Sequence, residues 1–182
     1  DQIGESYRGN ASVKHHSVFD YQNSEFGSLL VEMWVLEDNQ VKDGRRQMKH
    51  ADRLAPYRDR TRRYAQRRIA ITRGGQVHAA LVPTRIFNKK GLRHVGRSVI
   101  VEVNTNRLSN SAGASFFASN RADLKSESEM TIENAVEMAI ETYEDDLRGI
   151  ERDRHDEALK GKGATDEDAI RGRLNRLIDN FT

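Results

Sequence analysis

Arg121 closes a polar tripeptide, Ser119-Asn120-Arg121, set between the aromatic pair Phe116-Phe117 and the start of a long amphipathic pattern. A guanidinium mounted at a junction of strand, loop and helix offers five N–H donors in a rigid fork. Such a group suits the γ-phosphate of a nucleotide held by another domain. The competing use is an ordinary surface ion pair with the acidic helix that follows, for example with Asp123 or Glu127.

Other chemistry-bearing patterns are weaker. Gly74-Gly75-Gln76 resembles the tripeptide of peptide-chain release factors, whose glutamine positions water at an ester. Here the flanking strand patterns already demand a hairpin turn at that point. Glu102 and Asn106 have the spacing of an acidic base and a magnesium-binding asparagine, but that pair needs successive helix turns and this one straddles a strand end. His15 and His16 are adjacent, so a strand points them to opposite sides and joint metal ligation is awkward. No phosphate-binding GxxxxGKS/T loop, HExxH helix or GxSxG elbow occurs in the chain, and no metal ligand set is expected.

The elements that must carry Arg121 follow from periodicity. Ser98 to Val103 is a short β-branched run, the pattern of a buried strand, and Asn104 to Gly113 reads as a loop. Leu29 to Leu36, with Trp34, marks a core strand. Residues 1–28 read as an irregular lead-in or one edge strand. Arg68 to Val82 predicts a hairpin turning at Gly74-Gly75 and ended by Pro83, with a turn at Asn88 to Gly91 leading to the next strand. From Ser126 to Ile150, the residues Ile132, Ala135, Val136, Ala139, Ile140, Tyr143, Leu147 and Ile150 step by three and four, which predicts a helix with one apolar stripe. Ser126 and Glu129 fit a capping box. Gly161 to Gly163 predict a hinge, and Ala169, Leu174, Leu177 and Ile178 a short last helix. The fold class is therefore α+β: a mixed β-sheet packed by a long amphipathic helix, with a C-terminal helical extension. The domain runs over 1–157, and 158–182 form a linker and the short helix.

Charge is unevenly spread. From Lys42 to Arg68 there are eleven Lys and Arg against three Asp, or +8, whereas from Ala122 to Glu157 there are four against thirteen Asp and Glu, or −9. Met48, Ala51, Leu54 and Ala55 predict a short helix or partly ordered loop within the basic segment, broken by Pro56. Arg45, Arg46, Arg58, Arg60, Arg62 and Arg63, with Tyr57 and Tyr64 among them, could meet phosphates by charge and bases by stacking. The plainer reading of the segment is a solvated insertion between two strands.

With 36% hydrophobic and 32% charged residues, the core should be modest and the surface heavily charged. The absence of cysteine excludes disulfides and thiolate metal sites and fits a cytoplasmic setting. Apolar runs are too short to span a bilayer, so no membrane partner is expected. A start at Asp1 without methionine fits a fragment of a longer protein, and equally a processed one.

The order of segments carries a resemblance. Residues 71–87, ITRGGQVHAALVPTRIF, look like the stretch of the heat-shock-90 chaperone middle domain in which a short EGQ turn precedes an F-x-A-L-L-F-V-P strand. Ser98 to Val103 resembles that family's R-R-V-F-I strand, and Ala118 to Leu124 its N-I-S-R-E-x-L loop ahead of a long helix. The match covers the middle half of the chain. It implies a transducer domain of a GHKL-type ATPase, with a fold similar to a ribosomal small-subunit protein. Arg121 would then reach the γ-phosphate of ATP, held with magnesium in a separate N-terminal domain. Asn120 would lie beside it and Gln76 would support the same face. The implied partners are that N-terminal ATPase domain, a second copy of the chain, and DNA or RNA. The implied settings are chaperone-like work or phage defence. The chain departs from the family at Ala122, where an acidic residue is usual, and in the basic insertion.

Overall fold

The computed structural model describes residues 13–38, 40–43, 46–49, 51, 67–117 and 124–160. In chain order these form β1 (Val13–Asn23), β2 (Gly27–Leu36), β3 (Gln40–Asp43), β4 (Arg46–Lys49), β5 (Ile69–Arg73), β6 (Gln76–Leu81) and α1 (Pro83–Lys89). A single 3-10 turn (Val95–Arg97), β7 (Val99–Asn104), α2 (Asn110–Phe116), α3 (Ser126–Thr142) and α4 (144–160) follow.

Every residue of β2 is buried or half-buried, and a strand covered on both faces has to lie inside a sheet. It pairs antiparallel with β1 on one side and β7 on the other, and β7 pairs parallel with β5, so the five-stranded sheet is mixed, ordered β1-β2-β7-β5-β6. A parallel pair needs a crossover, and β6 with α1 supplies it between β5 and β7. The fold class read from periodicity, α+β with a mixed sheet packed by helices and a C-terminal helical part, is the observed one.

One sheet face carries the main core. Leu29, Val31, Met33 and Val35 of β2, Val99, Val101 and Val103 of β7, and Ile69 and Ile71 of β5 meet Ile132, Ala135, Val136, Ala139 and Ile140 of α3 and Phe87 of α1. Each of the larger aliphatic and aromatic side chains contributes about 1.5–3 kcal/mol when fully buried. On the other face Trp34, Leu36, Ile100 and Ala51 form a smaller cluster. Packing is tight enough that a Cβ added at Gly96 would sit 2.7 Å from that of Phe87.

Several local expectations are corrected. Pro83 ends β6 but also starts α1, because its missing N–H is surplus in a first helical turn, so 83–89 is helix rather than a lead into a turn. Within 104–113 the loop is short: Ser109 accepts a hydrogen bond from Ala112 N–H and caps α2. No capping box forms on α3. Its N-cap is Lys125 and Ser126 is already helical, leaving Glu127 and Glu129 to complement the helix dipole. Met48 belongs to β4, paired with Val41, rather than to a helix, while Leu54 and Ala55 lie outside the described residues.

Two buried arginines lock the end of the sheet where β7 begins. Arg68 donates to the carbonyls of Arg97 at 2.5 Å and Gly96 at 2.9 Å. Arg154 of α4 donates to the Leu36 carbonyl, to Ser98 Oγ and to the His94 carbonyl. Beside it Glu151 accepts from the N–H groups of His94 and Val95 at 2.8–2.9 Å. Elsewhere α3 is held to α1 by Lys89 and Lys90 bonding Glu137, whose carboxyl is kept below its ordinary range first by the Lys89 hydrogen bond.

The two histidines of β1 diverge, as a strand requires. His16 bonds Glu32 at 2.7 Å and stacks on Trp34, while His15 faces the helices, edge-on to Tyr143 and 3.8 Å from Asp146. Burial pushes the His15 pKa below 6.5; Asp146 opposes this and His16 adds to it. Below about pH 6.5 the unfolded chain therefore takes a proton that folded His15 resists, so stability present above that pH is lost as pH falls. Urea midpoints at about pH 7.5 and about pH 5.5 should differ less in His15→Gln than in the parent, and an equal drop in both excludes His15 as the cause.

Candidate functional site

Gly74 and Gly75 adopt φ of +57° and +75°, the left-handed pair of a tight hairpin turn, which only glycine enters without strain. The Gly74 N–H donates to Asn106 Oδ1 at 2.6 Å, tying the hairpin tip to the turn after β7. Gln76 opens β6, opposite Arg73 in register, with its side chain exposed. The Gly-Gly-Gln tripeptide is thus the hairpin turn that the flanking strands require.

Glu102 and Asn106 do not converge. Thr72 Oγ1 donates to Glu102 at 2.7 Å on the second sheet face, and Asn106 spends its side-chain oxygen on the hairpin. Both are structural. Among the described residues no three His, Asp or Glu side chains gather as a metal site.

Phe117 and Leu124 form an antiparallel bridge. The ring of Phe117 meets Phe116 edge-on at 5.8 Å and lies 5.1 Å from His78 of β6. Asn120 and Arg121 fall between the two bridge residues, in 118–123, and lie outside the described residues. The bridge meets β6 through His78, and Gln76 is two residues from His78 on that edge strand. Gln76 and the Phe117–Leu124 bridge therefore share one edge of the sheet.

The structure adds a residue that the sequence reading passed over. The half-buried Arg73 guanidinium lies directly against Gly113 of α2, so close that a Cβ there would overlap it. Among the described residues it has no ion pair or hydrogen bond. Among the described residues this cation therefore has no counter-ion where it lies against the helix that leads into Phe117. A glycine in mid-helix costs about 1 kcal/mol relative to alanine, and here it makes the room. The only sequence signal was that glycine inside a capped turn.

Of the basic segment, Arg45, Arg58, Arg60, Arg62 and Arg63 lie outside the described residues. Arg46 opens β4 opposite Asp43. Among the described residues no helix is long and apolar enough to cross a membrane. No protein-family model, curated protein or solved structure matches the chain.

Proposed function

We propose that this chain is the transducer domain of a GHKL-type ATPase, in which Arg121 meets the γ-phosphate of ATP bound in a separate N-terminal domain. The observation that carries the reading is the succession of hairpin, α1, β7, α2, the Phe117–Leu124 bridge and α3, with the bridge on the sheet edge that bears Gln76. The exposed amide of Gln76 is a donor suited to an acceptor-rich triphosphate, and Arg121 and Asn120 would add theirs. Magnesium, held with ATP by the other domain, supplies charge neutralisation at the phosphates.

This chain's part is electrostatic. As the bond to the γ-phosphoryl group loosens, charge grows on its oxygens, and a guanidinium already oriented stabilises that state more than the ground state. Departure of the phosphate removes the anchor, and the change is passed through the bridge to α3 and the sheet. The test is ATP hydrolysis and nucleotide affinity of Arg121→Ala in the protein that joins this domain to its nucleotide-binding domain; unchanged hydrolysis overturns the reading.

The +8 balance of 42–68 favours a second reading, a non-catalytic DNA- or RNA-binding module. It predicts retention on nucleic acid that falls steeply between low and moderate salt, ignores ATP, and is lost on charge reversal at Arg60, Arg62 and Arg63. Retention unchanged by that reversal removes it.

A further inference from the structure

Away from the β6 edge, a cavity of about 270 Å³ opens between the turn around the 3-10 helix and α4, lined by Arg93, His94, Arg97, His155, Ala158 and Leu159. Among the described residues neither the Arg93 nor the Arg97 guanidinium has a hydrogen bond or ion pair. Two carboxylates lie nearby: Glu151 is occupied by two backbone N–H groups, and Asp156 lies 3.7 Å from His155 Nδ1 at the edge of the lining. Among the described residues, two guanidiniums therefore line one cavity without an ion pair of their own. The imidazoles of His94 and His155 meet edge-on at 6.0 Å and add nitrogen donors to the same lining.

The walls are also preorganised. Glu151 and Arg154 clamp α4 to the 93–98 turn, so the backbone that carries Arg93 and Arg97 is held against α4 before any ligand arrives. Leu159, 55% exposed, gives the mouth an apolar lip.

We propose that this cavity binds the phosphoryl group of a small phosphate monoester whose organic part rests on Ala158 and Leu159. A monoester carries roughly −1.5 to −2 charge near neutral pH, which two guanidiniums match, and guanidinium forks bond phosphate oxygens in pairs. The volume takes the phosphoryl group and the first atoms of its carrier. An extended nucleic-acid backbone is disfavoured, because the adjoining side of α4 is acidic, with Asp153 and Glu157 beside Glu37 and Asp38. The proposal makes no use of Arg121, and its failure leaves the ATPase reading standing.

The test titrates the full chain with inorganic phosphate, adenosine monophosphate and a single-stranded DNA oligonucleotide, followed by amide chemical shifts. Phosphate and the monophosphate should shift the amides of Arg93, His94, Arg97 and His155. The Arg93→Ala, Arg97→Ala pair should weaken both by about tenfold or more, as loss of charge-assisted bonds requires. Because Arg93 is exposed, that variant also serves alone should the pair unfold. Leu159→Ser should weaken the monophosphate and spare inorganic phosphate. Absence of phosphate and monophosphate binding at millimolar concentration, binding unchanged by the arginine variants, or binding of the oligonucleotide alone overturns the proposal.

Discussion

On the proposed transducer role, Arg121→Ala in a protein that carries this domain together with an ATPase domain is expected to slow ATP hydrolysis by about a thousandfold while nucleotide affinity changes by no more than about threefold. The asymmetry is the substance of the prediction. A guanidinium that touches the γ-phosphate only as charge develops contributes to the transition state and little to ground-state binding. Single-turnover hydrolysis and equilibrium nucleotide binding, measured side by side, separate the two. Arg121→Lys keeps the charge but loses the planar fork, so it should recover only part of the rate. An equal loss of affinity and turnover would make Arg121 a binding residue. If instead Arg121 pairs with Asp123 or Glu127, charge reversal at those acids should rescue nothing in hydrolysis but change stability, by the 0–1 kcal/mol typical of exposed pairs.

How far such a site can be read in advance depends on where each residue's environment is set. β2, β7 and the α3 stripe were legible because burial there is written in the local period: Val99, Val101 and Val103 alternate, and Ile132, Ala135, Val136, Ala139 and Ile140 step along one face. The hairpin was legible because Gly74-Gly75 meets a conformational need. By contrast, α2 lies in a stretch of Ser, Asn and Gly whose composition is that of a loop. It is helical because Ser109 caps it and its far end is anchored by Phe116 and Phe117 in the core. The β3–β4 hairpin was masked by apolar residues that happened to fall at helical spacing, although Asp43-Gly44 was a turn signal. Arg73, Arg68 and Arg154 could not be picked from thirty Lys and Arg, since what distinguishes them is contact with distant backbone or a distant glycine.

Arg154→Met is the variant expected to cost the fold most for the fewest atoms changed. Arg154, 8% exposed, reaches across 118 positions of sequence to the Leu36 carbonyl, where β2 ends, and bonds Ser98, just before β7, and His94, just before the 3-10 turn. Burial pushes its pKa down, and the surrounding charges, Asp38 foremost, push it back up, so the cation is held at some desolvation cost. Methionine keeps the apolar stem and removes that cost, an exchange that can be neutral when all polar partners leave together. Here they do not leave. The Leu36 carbonyl stays behind without this donor, at about 1–3 kcal/mol if left unsatisfied, whereas the His94 carbonyl keeps the Arg97 N–H and the Ser98 hydroxyl keeps its bond to the Val95 carbonyl. A net loss of about 2 kcal/mol should therefore appear as a lower urea midpoint. The location of the loss is the sharper reading. Amides of 144–160 should exchange much faster in Arg154→Met, because α4 is tied to the sheet end through this residue and Glu151, while amides of β2 and β7, held by their own ladder, keep their protection relative to global unfolding. Uniform weakening of all three elements would show that α4 is an integral part of one cooperative unit. An unchanged midpoint would show that the Leu36 carbonyl finds another donor, and the clamp would lose its assigned role.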